Sequence, residues 1–209
     1  MFSGIVEEVG KVKRMSDHGG FSVCEIMCPK MAEEIKEGDS ISVNGACLTA
    51  EKVSGDIFQA SLSTQTQRET NLGLIRTGEH VNLESALKMG DKIGGHFLTG
   101  HIDFMSKLRN LDNRGGSIIL SFDIPMQFER YAAKRGSIGV EGISLTIAEF
   151  NVREVKIFLV PFTMENTNLK YRRPGDMLNI EVDLLAKYVE KNLDTRNHAG
   201  ESSGSAMFV

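Results

Sequence analysis

Two histidines, one thiol and one hydroxyl hold positions in this chain from which they can do chemistry. His96 and His101 fall five residues apart in Gly94–Asp103, GGHFLTGHID. Cys47 lies in Asn44–Thr49, NGACLT, and Ser144 in Glu141–Thr146, EGISLT. An imidazole between Gly100 and Ile102 suits acid–base work or hydrogen bonding to a polar ring, because its pKa lies near neutral pH. The glycines beside it let backbone N–H and C=O groups approach a flat ligand closely. As metal ligands the two histidines lack a set: no cysteine cluster joins them, and Asp103 alone is a poor third. Cys47 reads either as a buried inert thiol or as a site residue. Cys24 and Cys28, without a histidine partner nearby, read as core residues. His18 and His80 read as surface residues and His198 as part of a tail. No dinucleotide fingerprint, P-loop or nucleophile elbow is present, since GISLT at Gly142–Thr146 lacks the second glycine. A nucleotide-cofactor enzyme is not indicated.

These residues sit in a chain that repeats itself. Ser40–Thr49 and Ser137–Thr146 agree at six of ten positions without a gap. Thr66–Glu84 and Thr163–Glu181 agree at eight of nineteen at the same offset of 97. The GIV of Gly4–Val6 returns as the GHI of Gly100–Ile102. Two ungapped blocks at one offset mean a tandem duplication, each unit of roughly 90–100 residues being large enough for its own core. The copies differ where chemistry is concerned: Cys47 faces Ser144 in the alignment, Asn44 faces Glu141, and Ile5 faces His101. Two related pockets with unlike polar fittings suit a protein that binds two similar molecules in different roles. The alternative is that one pocket decayed after duplication.

The elements that must position these residues are mostly strands. Short β-branched runs punctuated by Gly, Asn and Asp predict strands at Ser22–Met27, Ser40–Val43, Cys47–Val53, Ile57–Leu62 and His80–Glu84. Their counterparts are Ser117–Phe122, Ser137–Val140, Ser144–Phe150, Glu154–Val160 and Met177–Val182. The spacing predicts a small antiparallel barrel or sandwich per half. One short helix per half starts at Pro29 and Pro125, with Gly38 and Gly136 as C′ residues. A further helix follows Asp183, with Leu185, Tyr188, Val189 and Leu193 in one stripe that packs either on its own domain or against copies of itself. Residues 197–209 read as a disordered tail.

The net charge of −4 and the scattered Lys and Arg speak against a nucleic-acid partner. No apolar run approaches membrane-spanning length, no signal peptide is apparent, and three cysteines fit a reducing cytoplasm.

Together MFSGIVEE at the start, NGACLT, GGHFLTGHID and EGISLT resemble the riboflavin synthase alpha chain family, over Met1 to about Tyr188. The resemblance implies a mostly β fold: two tandem six-stranded antiparallel Greek-key barrels related by internal duplication, plus a C-terminal helix. The domains would be 1–97 and 98–183, each binding one lumazine, with 184–196 as an oligomerisation helix. It implies a transferase that takes two molecules of 6,7-dimethyl-8-ribityllumazine and moves a four-carbon unit from one to the other, giving riboflavin and 5-amino-6-ribitylamino-uracil. No cofactor or metal would take part. The protein would be a cytoplasmic homotrimer with each active site between adjacent subunits, and an association with lumazine synthase is a further expectation.

The same resemblance implies the site residues. Cys47, His101, Ser144 and Thr146 would be the polar groups at the reacting centre, with Phe2 packed over it. The N-terminal pocket would use Gly4, Ile5 and Val6, Cys47, Leu48 and Thr49, and Ser61, Leu62, Ser63, Thr64, Gln65 and Thr66. The C-terminal pocket would use Gly100, His101 and Ile102, Ser144, Leu145 and Thr146, and Phe158, Leu159, Val160, Pro161, Phe162 and Thr163, with a basic group at Arg135. Two positions depart from the family pattern. Glu141 stands where Asp is usual, changing the reach of a carboxylate expected to accept a substrate proton or hold a ribityl hydroxyl. Arg135 stands where Lys is usual, with Lys134 before it. The rival expectation is a non-catalytic lumazine or flavin antenna protein of the same fold. Such proteins lack the second-half histidine motif that is intact here.

Overall fold

The structure, a computed structural model, describes residues 1–114 and 117–203. The first half runs β1 Glu8–Asp17, β2 Phe21–Met27, β3 Ser40–Val43, β4 Ala46–Thr49, β5 Lys52–Ser54, β6 Ile57–Ser63, α1 Thr64–Glu69 and β7 His80–Ser85. The second repeats it as β8 Phe104–Arg114, β9 Ser117–Asp123, β10 Ser137–Val140, β11 Ile143–Thr146, β12 Glu149–Asn151, β13 Glu154–Leu159, α2 Pro161–Asn166 and β14 Met177–Val182. The helix α3, Leu184–Ser203, closes the chain. Each half is one curled antiparallel sheet, in the orders β4-β3-β7-β1-β2-β6-β5 and β11-β10-β14-β8-β9-β13-β12. The duplication read from the sequence is therefore complete in topology.

Each sheet has seven strands rather than the expected six, because the single run Cys47–Val53 breaks into β4 and β5. The break is at Ala50, which is fully buried and donates its N–H to Asp39 O at 2.8 Å, while Gly38 N–H returns to Ala50 O at 2.8 Å. Ile147 does the same in the second half, bonded to Gly136 O at 2.9 Å and accepting from Arg135 N at 2.8 Å. Arg135, with φ +68°, thus takes the left-handed position that Gly38 holds at φ +93° in the first half, and Gly136 does not. The expected helices at Pro29 and Pro125 are 3-10 turns, Met31–Glu33 and Met126–Tyr131. The strands β1 and β8 were not read from the sequence, since Glu8, Lys11, Lys13 and Arg14 interrupt the apolar pattern; only alternate residues Glu8, Gly10 and Val12 turn inward.

The two cores are separate. The first includes Cys24, Ile26, Cys28, Phe58 and Leu83, the second Leu120, Phe122, Ile138, Ile157 and Ile180. Burial, with nearby Glu25 and Glu8 adding to it, pushes the Cys24 and Cys28 thiols up to about 12. Both are inert at neutral pH.

Between the cores lies a buried polar lattice. The hairpin tips Asn44-Gly45 and Glu141-Gly142 carry positive φ at both residues, +48° and +85°, +52° and +76°, the two-residue turn that Asn-Gly favours. The tips touch: a Cβ on Gly45 would stand 2.8 Å from Gly142 N. Around them the bonds are reciprocal. Asn71 N–H donates to Asn179 Oδ1 at 2.7 Å, and Asn168 N–H to Asn82 Oδ1 at 2.6 Å. Asn82 Nδ2 donates to Glu141 O and Asn179 Nδ2 to Asn44 O, both at 2.9 Å. The symmetry fails at one point. Glu141 replaces asparagine, and its carboxylate accepts from Asn71 Nδ2 (2.6 Å), Asn179 N (2.7 Å), Asn168 Nδ2 (2.9 Å) and the Arg172 guanidinium. A left-handed glutamate is an unfavourable conformer, and these four donors hold it there.

α3 continues to Ser203, past the expected end at 196 and into the stretch expected to be a disordered tail. Residues 204–209 lie outside the described residues. Its first turns are tied down by Lys187 Nζ on Asp103 Oδ1 at 2.7 Å and by Arg130 on Glu190. Leu185, Tyr188, Val189 and Leu193 stay more than half exposed, so the stripe does not pack on its own domain. Among the described residues no helix is long and apolar enough to cross a membrane.

Glu141→Ala leaves the Arg172 guanidinium, 14% exposed, without its counter-ion. Urea unfolding should show a loss of about 3–5 kcal/mol; a loss below about 1 kcal/mol would mean the lattice does not bind the halves together.

Candidate functional site

Two turns that belong to no sheet build the sites, and they do so by crossing over. Gly4–Val6 of the N-terminal segment lies on the second half, and Gly100–Ile102 of the 94–102 segment lies on the first. Gly4 O accepts from Ser144 N at 2.8 Å, and Gly100 O accepts from Cys47 N at 2.9 Å. Both glycines need their left-handed φ, +78° and +82°. A Cβ on Gly100 would stand 2.4 Å from Cys47 Cβ, and one on Gly4 would stand 2.6 Å from Ser144 Cβ. Val6 accordingly packs on the second core and Ile102 on the first. This regroups the expected pockets: Gly4–Val6 goes with Ser144, and Gly100–Ile102 goes with Cys47. Alignment of the repeats shows which segments are equivalent, but not that they are exchanged.

The first site is a cleft of about 500 Å³ lined by Cys47, Ser63, Gln65, Thr66, Glu69, Gly100, His101 and Ile102, among others. Alternation along β4 turns Leu48 into the core and leaves Cys47 and Thr49 outward. Ser63 caps α1, accepting from Thr66 N at 3.0 Å, which gathers Ser63–Thr66 along one wall. This helix was missed in the sequence, although serine three residues before the donor was the available signal. Glu69, at its end, joins the wall unforeseen. Thr64 turns to Gly20 O at 2.6 Å, and Ser61 to Glu51 at 2.8 Å. Leu62 points into the core.

The second site centres on Ser144. His96 Nδ1 lies 2.6 Å from Ser144 Oγ. Burial holds His96 below the ordinary histidine value, with Asp183 pulling the other way. A neutral imidazole at that distance can take the hydroxyl proton. His101, expected beside Ser144, stands instead in the Cys47 cleft. So each half receives one histidine from the 94–102 segment. The equivalents of Ser63, Thr64 and Gln65 are Val160, Pro161 and Phe162, where Pro161 starts α2. With Phe158 they are exposed and mostly apolar, whereas Leu159 faces the core and Leu145 packs against it. Thr146 and Arg135 are exposed at the far end of the β10–β11 hairpin, and Thr163 lies half-buried in α2.

Two expected residues are elsewhere. Glu141 is fully buried in the inter-barrel lattice and faces no pocket, so its extra methylene bears on how the halves join. Phe2 is 1% exposed and pinned by paired backbone bonds with Leu98 at 2.8 and 3.0 Å. His80 stacks on Tyr171 of the other half with ring centres 3.9 Å apart, rather than lying free on the surface. Among the described residues no group of three or more His, Cys, Asp or Glu converges as metal ligands.

The fold is a duplicated antiparallel half-barrel with a cluster of polar side chains on each copy, around Cys47 in one and Ser144 in the other. The match to known proteins agrees: the lumazine binding domain model fits twice, at residues 3–86 and 99–183. Riboflavin synthase of Actinobacillus pleuropneumoniae is 34% identical over 92% of this chain and 90% of its own length. That of Mycobacterium tuberculosis (strain CDC 1551 / Oshkosh) is 36% identical over 91% and 97%. Among solved structures, LumP complexed with riboflavin superimposes with TM-score 0.81 at 28% identity, covering 87% of this chain and 99% of LumP. LumP complexed with 6,7-dimethyl-8-(1'-D-ribityl) lumazine gives 0.79 at 26%, over the same shares. The chain belongs to the riboflavin synthase family of lumazine-binding proteins.

The His96 ring should titrate below 6.5 by NMR, and Asp183→Asn should lower it further. Because the folded value is the lower one, the stability linked to His96 is present above 6.5 and is lost as pH falls through the lowered value. A His96 that titrates at or above 6.5 would contradict the buried, neutral imidazole.

Proposed function

We propose that the protein makes riboflavin from two molecules of 6,7-dimethyl-8-ribityllumazine, passing a four-carbon unit from one to the other and releasing 5-amino-6-ribitylamino-uracil. The observation that carries this reading is the pair of equivalent sites with unlike fittings, Cys47 with His101 and Ser144 with His96. Two identical substrates need unequal surroundings to become donor and acceptor. The products together contain the atoms of the two substrates, so no external oxidant or reductant enters the balance. In this reading His96 and Ser144, in contact with each other, serve the loss of a proton from the 7-methyl group, and Cys47 offers a thiol for addition to the ring. Holding two substrates together offsets up to about 7–11 kcal/mol of the barrier. The polar wall Ser63–Thr66 suits a ribityl chain, and the apolar wall Phe158–Phe162 suits a ring face.

The exposed stripe on α3 supports self-association through that helix; a homotrimer, with each active site between the first half of one subunit and the second half of the next, rests on the family resemblance. A cytoplasmic setting fits three free thiols. An association with lumazine synthase rests on the family resemblance alone. A second reading, a carrier that holds a lumazine or flavin without converting it, is favoured by the likeness to LumP.

Incubation with the lumazine alone separates the two. One riboflavin formed per two lumazines consumed supports the synthase; binding without riboflavin makes the protein a carrier. Cys47→Ala should reduce turnover by roughly 100-fold or more, the scale typical of a lost acid–base or nucleophilic group; unchanged turnover removes Cys47 from the mechanism. A chain ending at Val182 should sediment as a smaller species than the full chain; equal sedimentation would remove α3 from the assembly.

A further inference from the structure

Two buried carboxylates outside both sites share one arrangement. Glu181, on β14 and 3% exposed, accepts Thr99 N–H and Thr99 Oγ1–H at Oε1, both at 2.7 Å, and Gly100 N–H at Oε2 at 3.1 Å. Glu84, its equivalent on β7, is also 3% exposed. It accepts Ser3 N–H at 2.7 Å, Ser3 Oγ–H at 2.8 Å and Gly4 N–H at 3.0 Å. Each carboxylate therefore grips the turn whose next carbonyl holds the other half's site. Glu181 is rooted in the second half, yet the turn it grips bonds Cys47. Glu84 is rooted in the first half, yet its turn bonds Ser144.

We propose that Glu181 and Glu84 are positioning residues acting as crossed latches, Glu181 setting the Gly100–His101 turn over Cys47 and Glu84 setting the Gly4 turn over Ser144. The inference rests on the proposed function only for its catalytic consequence; the latch itself is geometry. Burial works against keeping these carboxylates ionised, raising both. Three donors per carboxylate offset that cost, and an ionised acceptor is what makes the grip strong. Glutamine at either position offers one acceptor oxygen and an NH2 that confronts a backbone N–H. The gripped turn then loses part of its hold without any change in volume. A latch acting on one site has an effect that general destabilisation lacks, because it is confined to the site across the boundary.

The chain contains its own probe. Cys47 is half-buried, while Cys24 and Cys28 are buried in the first core. Iodoacetamide labelling followed by peptide mass spectrometry reads all three thiols separately. In Glu181→Gln, Cys47 should label roughly tenfold faster or more than in the wild type, the scale of a lost charge-assisted bond. Cys24 and Cys28 should stay unlabelled. In Glu84→Gln the Cys47 rate should remain at the wild-type value. Equal Cys47 rates in Glu181→Gln and wild type, an equal rise in Glu84→Gln, or parallel labelling of Cys24 and Cys28 would each overturn the latch. Adding 6,7-dimethyl-8-ribityllumazine to the wild type tests the function separately. Protection of Cys47 supports the site reading, and its absence counts against that reading while the relative labelling rates still decide the latch.

Discussion

Everything in this molecule depends on how two small half-barrels are held tip to tip. The contact is polar: side-chain and backbone amides of Asn44, Asn71, Asn82, Asn168 and Asn179 interlock with Glu141 where Gly45 and Gly142 touch. A buried lattice of this kind contributes more to specificity than to net stability, because every donor lost from water must find an acceptor in one arrangement only. A slip of either hairpin by one residue would leave several amides unpaired. The lattice therefore fixes the relative orientation of the halves. The Glu141–Arg172 pair makes it unsymmetrical, replacing an asparagine and Ile75 at the equivalent positions of the first half.

That orientation is what permits the crossover of the two turns. Residues 1–6 and 94–102 are each too short to hold a shape alone, and the second carries three glycines besides. They become defined by pairing with each other at Phe2 and Leu98 and by the bonds that Gly4 and Gly100 make to Ser144 and Cys47. Neither site is complete within its own sheet, so the duplicated halves cannot drift apart without losing both. Within this frame the fittings are free to differ. Cys47 with a polar helical wall and Ser144 with an apolar one are two versions of one pocket, the difference on which the proposed reaction between two identical molecules rests.

Much of the fold was legible in the sequence because its signals are local. Ser40–Val43, Ser137–Val140 and Met177–Val182 carry β-branched pattern and turn punctuation, and the structure gives those strands the same bounds. The duplication was legible because identity survives at one offset. The strands β1 and β8 were not, because charged residues such as Lys11, Lys13 and Lys107 face outward, and Glu8 inward, at positions that periodicity treats as breaks. Cys47, Ser144 and His101 stood out by type and spacing as candidates, but the pairing of His96 with Ser144 did not. Which turn lies on which half is set by the lattice, a long-range contact that no local window contains. Glu141 was placed beside substrate for the same reason: a carboxylate next to a site motif looks chemical until its four donors are seen.

The central claim is that the two halves behave as one cooperative unit through the lattice, and native-state hydrogen exchange tests it most directly. The backbone N–H groups of Asn71 and Asn168 each donate across the boundary, while Phe58 and Ile157 report on the two cores. The account expects all four to exchange with one common free energy, equal to that of global unfolding. Asn71 and Asn168 exchanging well below the cores, or Phe58 and Ile157 exchanging at clearly different free energies, would show two independent halves and contradict it.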